Sequence, residues 1–400
     1  MTAIAEAIRS FTIALALLAA MSATAVDIVI PVTPTIERAF AVSPASAQLV
    51  VTVYIAGMCF GLIPIGAISD RFGRRPVILA CVTLFTLFGA AMALSLPFPA
   101  LLALRFGQGL VGAAGPALSR AIVRDLNLPD SGARLMALIT AALSLAPLVG
   151  PLLGGLLGDG LGWRAPFWVS AVYGLATVTV LALWMPETRA IRSRSAVVVQ
   201  LSSAFGMIAA STQSKIAILL FALPFAGYFA ILTSLSQVMN DLHDVVPAQF
   251  GALFALSAAT YFAGAILTRK LLAWMRPERV LRLGMRILGA TGFTASALFF
   301  WSKPDAWVLW AMASAFMFGM AICLPITTMT ALAPLARAAG IGASVLGVFQ
   351  IGIGALGSLA SAKLYGGNHL SMCVVIAISA VCASFVHSRY QVALWRSSTN

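Results

Sequence analysis

The chain consists of apolar segments of roughly 20 residues that follow one another with only short polar breaks between them. A helix needs about that length to cross the hydrocarbon layer of a bilayer. Strands of a membrane barrel would alternate apolar and polar residues over about 10 positions, and continuous runs such as 77–96 lack that alternation. The pattern predicts an all-α membrane protein. Its twelve predicted helices lie near residues 11–35, 46–69, 76–96, 99–121, 135–158, 165–185, 215–238, 248–270, 283–301, 306–328, 340–362 and 369–387.

Composition supports a lipid environment. Of the 400 residues, 61% are hydrophobic and 9% are charged, whereas a soluble domain carries about 25% charged residues. The five cysteines all fall inside apolar segments, where a disulfide framework or a metal cluster has no geometric support. We therefore interpret them as helix-packing residues.

The net charge of +13 indicates membrane orientation rather than nucleic-acid binding. The basic residues stand at segment ends and are not interleaved with exposed aromatic residues in one patch. With the N-terminus inside, most of them fall in cytoplasmic loops, as the positive-inside rule requires. We expect a multi-pass protein of the bacterial inner membrane with both termini in the cytoplasm. The first segment resembles a signal peptide, but apolar residues continue past its small-residue run, so we expect it to stay uncleaved.

A long polar interruption divides the predicted helices into six and six. It covers residues 186–214 and carries Arg189, Arg192 and Arg194. The two halves show weak signs of an internal repeat. Clusters of basic residues follow both the second and the eighth predicted helix, as expected for duplicated halves. The sequence predicts a six-helix bundle over 1–188, a cytoplasmic linker over 189–214 and a second six-helix bundle over 215–400.

The loop between the second and third predicted helices carries the most specific motif. Residues 66–76 read G-A-I-S-D-R-F-G-R-R-P, in which glycines permit a tight turn and charges of both signs can pair. A loop that only sets orientation would need neither Asp70 nor the two glycines. The stretch resembles the G-x-x-x-D-R-x-G-R-[KR]-x signature of the major facilitator superfamily, and the likeness extends over essentially the whole chain.

This resemblance implies a fold of two pseudo-symmetric six-helix bundles that moves its cargo by alternating access. It also implies a gating role for Asp70, within a charge cluster that latches the two bundles in the outward-open state. Asp70 would lie near the cytoplasmic end of the eleventh helix. The other residues implied in this loop and its cluster are Gly66, Arg71, Gly73, Arg74, Arg124 and Asp125.

The fifth predicted helix contains A-P-L-V-G-P-L-L-G-G at residues 146–155, similar to the G-P-x-x-G-G pattern of exporters in this superfamily. Pro151 removes a helix hydrogen bond, and the small residues allow close helix contact. Packing by small residues alone is an alternative, since glycine and proline are common in membrane helices. The resemblance adds Gly150, Pro151, Gly154 and Gly155 to the gating set.

The first helix carries D-I-V-I-P-V-T-P at residues 27–34, similar to the D-x-x-x-P-x-x-P start of the Bcr/CflA-like branch of drug:proton antiporters. The loop at 276–284 also resembles that branch. Asp27 is the acidic residue that we place inside the membrane. Some relatives carry a second acidic residue about two turns earlier, where this chain has Ala19 and Ala20, so the proton stoichiometry stays open.

Arg105 lies in L-L-A-L-R-F-G-Q-G at residues 101–109, which resembles the family's second signature. A charge inside an apolar helix is costly, so Arg105 should face a polar cavity or a carboxylate, or else bond backbone carbonyls. At about 1.5 Å per residue, Asp27 and Arg105 fall at similar depths. We predict that they form a proton-coupling pair in which Asp27 carries the proton, because arginine stays protonated. The alternative is a permanent ion pair that only orients the first helix.

Other polar and aromatic residues at mid-membrane positions form the candidate substrate pocket. Each is weak evidence alone, since aromatic residues at helical spacing more often serve packing. We predict an apolar pocket with scattered hydrogen-bonding groups. Its candidate residues are Tyr54, Gln108, Ser144, Phe225, Tyr228, Gln237, Tyr261, Phe349 and Gln350.

These features favour proton-coupled efflux of small, largely apolar compounds, with amphenicol-like antimicrobials as preferred cargo. Export of a native metabolite such as a siderophore, an amino-acid derivative or a sugar shares every motif, and uptake or a receptor role are weaker alternatives. We do not expect an enzyme, because His243, His369 and His387 stand near helix ends without clustered ligands or a nucleophile. We expect no cofactor or metal and no nucleic-acid partner. The expected partners are a small-molecule substrate, protons and membrane lipid, with the chain acting as a monomer.

Overall fold

A computed structural model describes residues 2–94, 96–126, 132–188, 206, 212–332 and 339–398. Across these residues the regular secondary structure is helical, without a strand among them. The predicted linker over 189–214 lies almost wholly outside the described residues. The domain boundaries that depend on this linker therefore stay a prediction.

The chain forms two compact units. Unit 1 consists of Met1–Ala41, Val53–Val197 and Pro247–Gly251. Within it, α1 packs against α6, α7 and α8, while α4 packs against α5 and α8. Its helices are α1 (Thr2–Asp27), α2 (Thr33–Phe40), α3 (Pro44–Phe72, from Val53 onward), α4 (Arg74–Met92), α5 (Phe98–Gly112), α6 (Ala114–Asp125), α7 (Gly132–Leu161) and α8 (Ala165–Trp184).

Unit 2 consists of Val42–Thr52, Val198–Val246 and Ala252–Asn400. Its central helix is α9, which packs against α12, α13 and α14, while α11 packs against α12 and α14. Its helices are α9 (Thr212–His243), α10 (Pro247–Leu272, from Ala252 onward), α11 (Pro277–Ala297), α12 (Ala306–Leu332), α13 (Ala339–Lys363) and α14 (Leu370–Ser398).

The helices have the length and composition of membrane spans. Among the described residues, 11 helical stretches are long and apolar enough to cross a bilayer, and Leu145–Leu161 of α7 is a shorter apolar one. These stretches and the apolar part of α7 correspond in order to the twelve predicted segments. The predicted fold class, an all-helical membrane protein, is confirmed.

The first predicted span, 11–35, is not one continuous helix. Helix α1 ends at Asp27, a 3₁₀ turn covers Ile30–Val32, and α2 begins at Thr33. Pro31 has no N–H to donate to the carbonyl four residues earlier, so the α-helical pattern cannot continue past Asp27. The amide of Val29 donates to Val26 rather than to Ala25, at 3.2 Å, which leaves the Ala25 carbonyl without its helical partner. The break thus exposes main-chain oxygens inside the unit.

The fourth predicted span, 99–121, is also divided, into α5 and α6 on either side of Ala113. Pro116 lacks the N–H that would reach the Gly112 carbonyl. The hydroxyl of Ser22 on α1 donates to that carbonyl instead, at 2.5 Å. A side chain of one broken helix therefore satisfies the freed oxygen of the other.

Candidate functional site

Asp27 is the last residue of α1 and is buried, with 4% of its surface exposed. It therefore lies where the main chain leaves the helix, next to the 3₁₀ turn. The sequence predicted an acidic residue within the membrane at this position, but it did not predict that α1 ends at Asp27.

Glycines of α7 face this break. A Cβ at Gly150 would lie 2.8 Å from the Cβ of Asp27, one at Gly154 would overlap the carbonyl oxygen of Ile28, and one at Gly158 would overlap the side chain of Val32. The spacing of four residues places all three glycines on one face of α7. The exporter-like pattern at 146–155 thus forms the surface on which the break in the first helix rests.

The rest of that pattern faces the start of α10. A Cβ at Gly155 would overlap the main chain of Pro247, and one at Gly251 would overlap the carbonyl of Pro151. In addition, the amide of Ala248 donates to the carboxylate of Asp159 at 3.1 Å. One helix therefore presents small residues on two faces, and Gly158, which continues the first face, was missed because the quoted pattern ends at residue 155.

Arg105 is fully buried in unit 1, and its guanidinium is held on several sides. Its Nη2 donates to the Ala25 carbonyl at 2.7 Å, and its Nη1 donates to Oε1 of Gln108 at 2.7 Å. The guanidinium carbon lies 4.3 Å from the ring centroid of Tyr54 and 5.8 Å from that of Phe167. Arg105 thus bonds one of the carbonyls that the helix break freed, and its charge sits at the C-terminus of α1, where a cation is favourable.

The guanidinium of Arg105 reaches the main chain two residues before Asp27, which places its charge beside the end of α1. The interpretation in which Arg105 bonds a backbone carbonyl describes the observed contact. The proton-coupling role of the two residues stays a prediction.

Tyr54 and Gln108, both predicted to bind substrate, are buried beside Arg105. The Tyr54 hydroxyl donates to the carbonyl of Ser22 at 3.4 Å, and Nε2 of Gln108 donates to the carbonyl of Phe85 at 3.4 Å. Both side chains help to hold the guanidinium in place. Their contact with substrate stays a prediction.

The other described pocket candidates belong to unit 2. Phe225 and Tyr228 of α9 lie in a row of aromatic rings, with their centroids 6.3 Å apart and Tyr228 5.4 Å from Phe229. Tyr261 of α10 is half-buried, as are Phe349 and Gln350 of α13. The Ser144 side chain lies outside the described residues.

Gln237 belongs to a polar face of α9 that also carries Thr233, Ser234 and Asp241. Its Nε2 donates to Asp241 at 3.0 Å, and the Tyr365 hydroxyl of α13 donates to the same carboxylate at 2.7 Å. Two turns before Asp241, Ser234 shares a hydrogen bond of 2.7 Å with Ser361 of α13. The hydroxyls were missed because single serines and threonines carry no pattern in the sequence.

The loop between α3 and α4 forms a charge cluster within unit 1. Nη2 of Arg74 lies 2.8 Å from Asp70, and its Nε donates to Asp125 at 2.8 Å. Nη1 of the same guanidinium donates to the Ser69 hydroxyl at 2.5 Å. Arg74 is thus shared between two carboxylates, and the gating role of this cluster stays a prediction. The neighbouring side chain of Arg124 lies outside the described residues.

Glu187 completes the cluster and was missed. Its Oε1 accepts from the amide of Arg74 at 2.9 Å and its Oε2 from the amide of Arg75 at 3.1 Å, so it caps the start of α4. Gly73 has φ of 101°, a conformation that favours glycine, and a Cβ there would lie 2.6 Å from the Glu187 carboxylate. The sequence signal was an acidic residue just beyond the end of α8, but a separation of over a hundred residues hid its partner.

Gly66 and Arg71 lie at the edge of the cluster. The Gly66 carbonyl accepts from the Ser69 hydroxyl at 2.8 Å. The guanidinium carbon of Arg71 lies 5.4 Å from the ring centroid of Phe72. The signature residues of this loop therefore bond largely to one another.

Apolar helices that contain a buried carboxyl group at a helix break and a buried arginine are typical of polytopic membrane transporters. Residues 15–362 match the model of the Major Facilitator Superfamily. The chain belongs to this family of membrane transporters.

Individual relatives show which branch of the family the chain resembles. The chain is 30% identical over 284 residues to a bicyclomycin resistance protein homolog of Haemophilus influenzae, covering 70% of this chain and 71% of the relative. It is 27% identical over 355 residues to multidrug resistance protein D of Escherichia coli, covering 87% of each. The resemblance to the Bcr/CflA-like branch is thereby confirmed.

Solved structures support the fold. A D-xylose-proton symporter superposes with a TM-score of 0.74 at 14% identity, covering 94% of this chain and 97% of the other. A bacterial homolog of the human lysosomal transporter Spinster gives a TM-score of 0.69 at 18% identity, with 96% of each chain covered. At these identities the likeness concerns the fold alone.

Proposed function

We propose that the chain exports small, largely apolar compounds across the bacterial inner membrane in exchange for protons, with amphenicol-like antimicrobials as preferred cargo. The names of its relatives, which refer to bicyclomycin and multidrug resistance, support drug export. The exporter-like pattern of α7 supports the same direction of transport. We further propose that both termini and the linker are cytoplasmic and that the transporter acts as a monomer.

The observation that carries the proposal is the position of Asp27. Its carboxyl group is buried at the end of α1, next to Gly150. A charged carboxylate in such a place has lost its hydration, and a bound proton removes that cost. A change in access to water therefore changes how readily Asp27 holds a proton, which is what a coupling site requires.

Arg105 adds a link between this proton and the shape of the helix. It bonds the Ala25 carbonyl, so its positive charge is anchored to the same main chain that ends at Asp27. A negative Asp27 attracts this charge, whereas a protonated Asp27 does not. We propose that the gain and loss of the proton shift the break between two arrangements while Arg105 stays charged throughout.

The proposed cycle uses competition between cargo and proton. Cargo that enters from the cytoplasm favours proton loss from Asp27, and proton binding from the outside favours cargo release. Neither species has to touch the other. The Asp70, Arg74 and Asp125 cluster serves as a conformational latch that binds neither of them.

The residues proposed to contact cargo are Tyr54, Gln108, Ser144, Phe225, Tyr228, Gln237, Tyr261, Phe349 and Gln350. These residues are aromatic or neutral polar, which suits a compound without a strong charge. A cationic cargo would depend on Asp27 for its counter-charge.

The test is an accumulation and susceptibility screen in a bacterial host without its own exporters, with Asp27→Asn as the inactive control. Resistance to several small apolar antimicrobials, amphenicols included, is the expected result. The contrary result is unchanged susceptibility to all of them, together with secretion of one native metabolite that stops in the Asp27→Asn strain. That result would reject drug export in favour of metabolite export.

A further inference from the structure

A dense group of cations lies between the end of α10 and the middle of α11. Six basic residues occur there with a single acidic residue, Glu278, among them. All six are exposed, and none forms an ion pair with a carboxylate in the described part of the chain. This basic surface consists of Arg269, Lys270, Arg276, Arg279, Arg282 and Arg286.

The equivalent loop of the first half behaves differently. There Arg74 is shared by two carboxylates, and Nη2 of Arg75 donates to the carbonyl of Ala182 at 2.8 Å. In the first loop Arg74 and Arg75 therefore bond acceptors within the protein, whereas the described part of the chain shows no carboxylate partner for the basic surface. The positive-inside rule does not account for this difference, because that rule depends on the number of cations in a loop and not on their bonding partners.

Three of the cations lie on one face of α11. Arg279, Arg282 and Arg286 follow one another at spacings of three and four residues, which places them in one row. Seven residues beyond Arg286, the same row reaches Phe293, which is 77% exposed. Large exposed aromatic side chains on a membrane helix face lipid, so the arginines share the lipid-facing side.

The position of Arg286 along α11 also indicates contact with lipid headgroups. Arg286 lies nine residues after Pro277, about 13 Å along the helix axis, within the apolar stretch Pro277–Phe300 and three residues inside the predicted span 283–301. A guanidinium on the lipid-facing side at this depth needs a counter-charge from the membrane, toward which its long side chain can extend. Trp274, 90% exposed just before α11, is the kind of residue that lies at the headgroup level.

We propose that the basic surface binds the headgroup phosphates of anionic phospholipids in the surrounding leaflet. Guanidinium groups bind phosphate oxygens through paired hydrogen bonds, and clusters of four to eight cations beside a membrane helix attract anionic lipid. The site does not involve the cargo or Asp27. It therefore stands or falls separately from the proposed export activity.

The test measures how strongly the purified transporter retains phosphatidylglycerol, by native mass spectrometry during titration with phosphatidylglycerol or phosphatidylcholine. In the variant R279Q/R282Q/R286Q, retention of phosphatidylglycerol should fall about 100-fold, since each cation near the surface contributes about a tenfold factor or less. Retention of phosphatidylcholine should not change.

The matched control R38Q/R164Q/K303Q removes three other exposed cations and the same total charge. It should retain phosphatidylglycerol as the unaltered protein does. An equal loss in both triple variants would show attraction by net charge only and would overturn the site, as would full retention in the first variant. If the triple variant does not fold, the single change Arg286→Gln must lower retention selectively, and unchanged retention there rejects the proposal.

Discussion

Asp27 and Arg105 show how much depends on the main chain at the end of α1. Their closeness was predicted from depth alone, and the guanidinium does reach this region, but it bonds the Ala25 carbonyl. That oxygen lacks its helical partner because the Val29 amide donates to Val26 where the helix ends. The positions of proline and aspartate can be read from the sequence. Which main-chain carbonyl loses its helical partner, and which side chain then bonds it, depends on packing between distant segments.

At the same scale, Gly154→Ala should destabilise the protein and abolish transport. The added methyl group would overlap the Ile28 carbonyl, which cannot move without shifting the break next to Asp27. Overpacking of this kind costs about 1–3 kcal/mol. The measurement is the midpoint of thermal unfolding in detergent, together with transport in vesicles.

Gly160→Ala is its matched control on the same helix, because a Cβ there meets nothing within 4 Å. This variant should unfold at the same or a slightly higher temperature and should transport normally. If the two variants behave alike, α7 does not support the break in the way described.

Among the elements, the broken first helix and the loop between α3 and α4 differ most in how well the sequence predicted them. The loop signature anticipated the carboxylates around Arg74, because its residues are close in sequence apart from Asp125. The cap on α4 was not predicted, since Glu187 comes from the segment just beyond the end of α8, over a hundred residues away. The breaks at Asp27 and Ala113 were missed because apolar character continues through them.

Glu187→Ala should weaken the start of α4. It removes the acceptor for the amides of Arg74 and Arg75, and loss of a helix cap costs about 0.5–2 kcal/mol. We expect a lower unfolding temperature and slower transport. Glu187→Gln keeps one acceptor oxygen and should fall between the alanine variant and the unaltered protein; an alanine variant as stable and active as the unaltered protein would remove Glu187 from the cluster.

Asp70→Asn should slow or abolish transport while substrate binding in detergent stays near normal. The change removes one of the two carboxylates that share Arg74, and the proposed role of this cluster is gating. Equilibrium binding of a labelled cargo and counterflow in vesicles measure the two properties separately. Loss of binding in a protein that is still folded would place Asp70 at the cargo site instead.

For the whole molecule, the apolar segments predicted the fold class and the order of the helices, because lipid requires every backbone group to be satisfied within a helix. The family followed from a short loop signature. The pocket was the least predictable part: Tyr54 and Gln108 hold Arg105, which polarity and depth alone did not indicate. Side-chain neighbours across helices depend on rotation about each helix axis, which apolar segments do not encode.

The topology of the whole chain rests on the distribution of basic residues. With residues 189–214 in the cytoplasm, Ser193→Cys in an otherwise cysteine-free protein should react with a membrane-impermeant reagent only after the cells are opened. The exposed Lys303→Cys is the opposite control and should react in intact cells. Labelling of Ser193→Cys from outside intact cells would reverse the orientation.

The central claim, that Asp27 carries the proton exchanged for cargo, is tested by proton release from the purified transporter when cargo is added. The unaltered protein should release protons and bind cargo with an affinity that changes with pH. Asp27→Asn should bind cargo with a pH-independent affinity, release no protons and fail to export uphill, whereas Asp305→Asn, at an exposed site before α12, should behave as the unaltered protein. If Asp27→Asn still drives cargo against its gradient under an imposed pH difference, the proton site lies elsewhere.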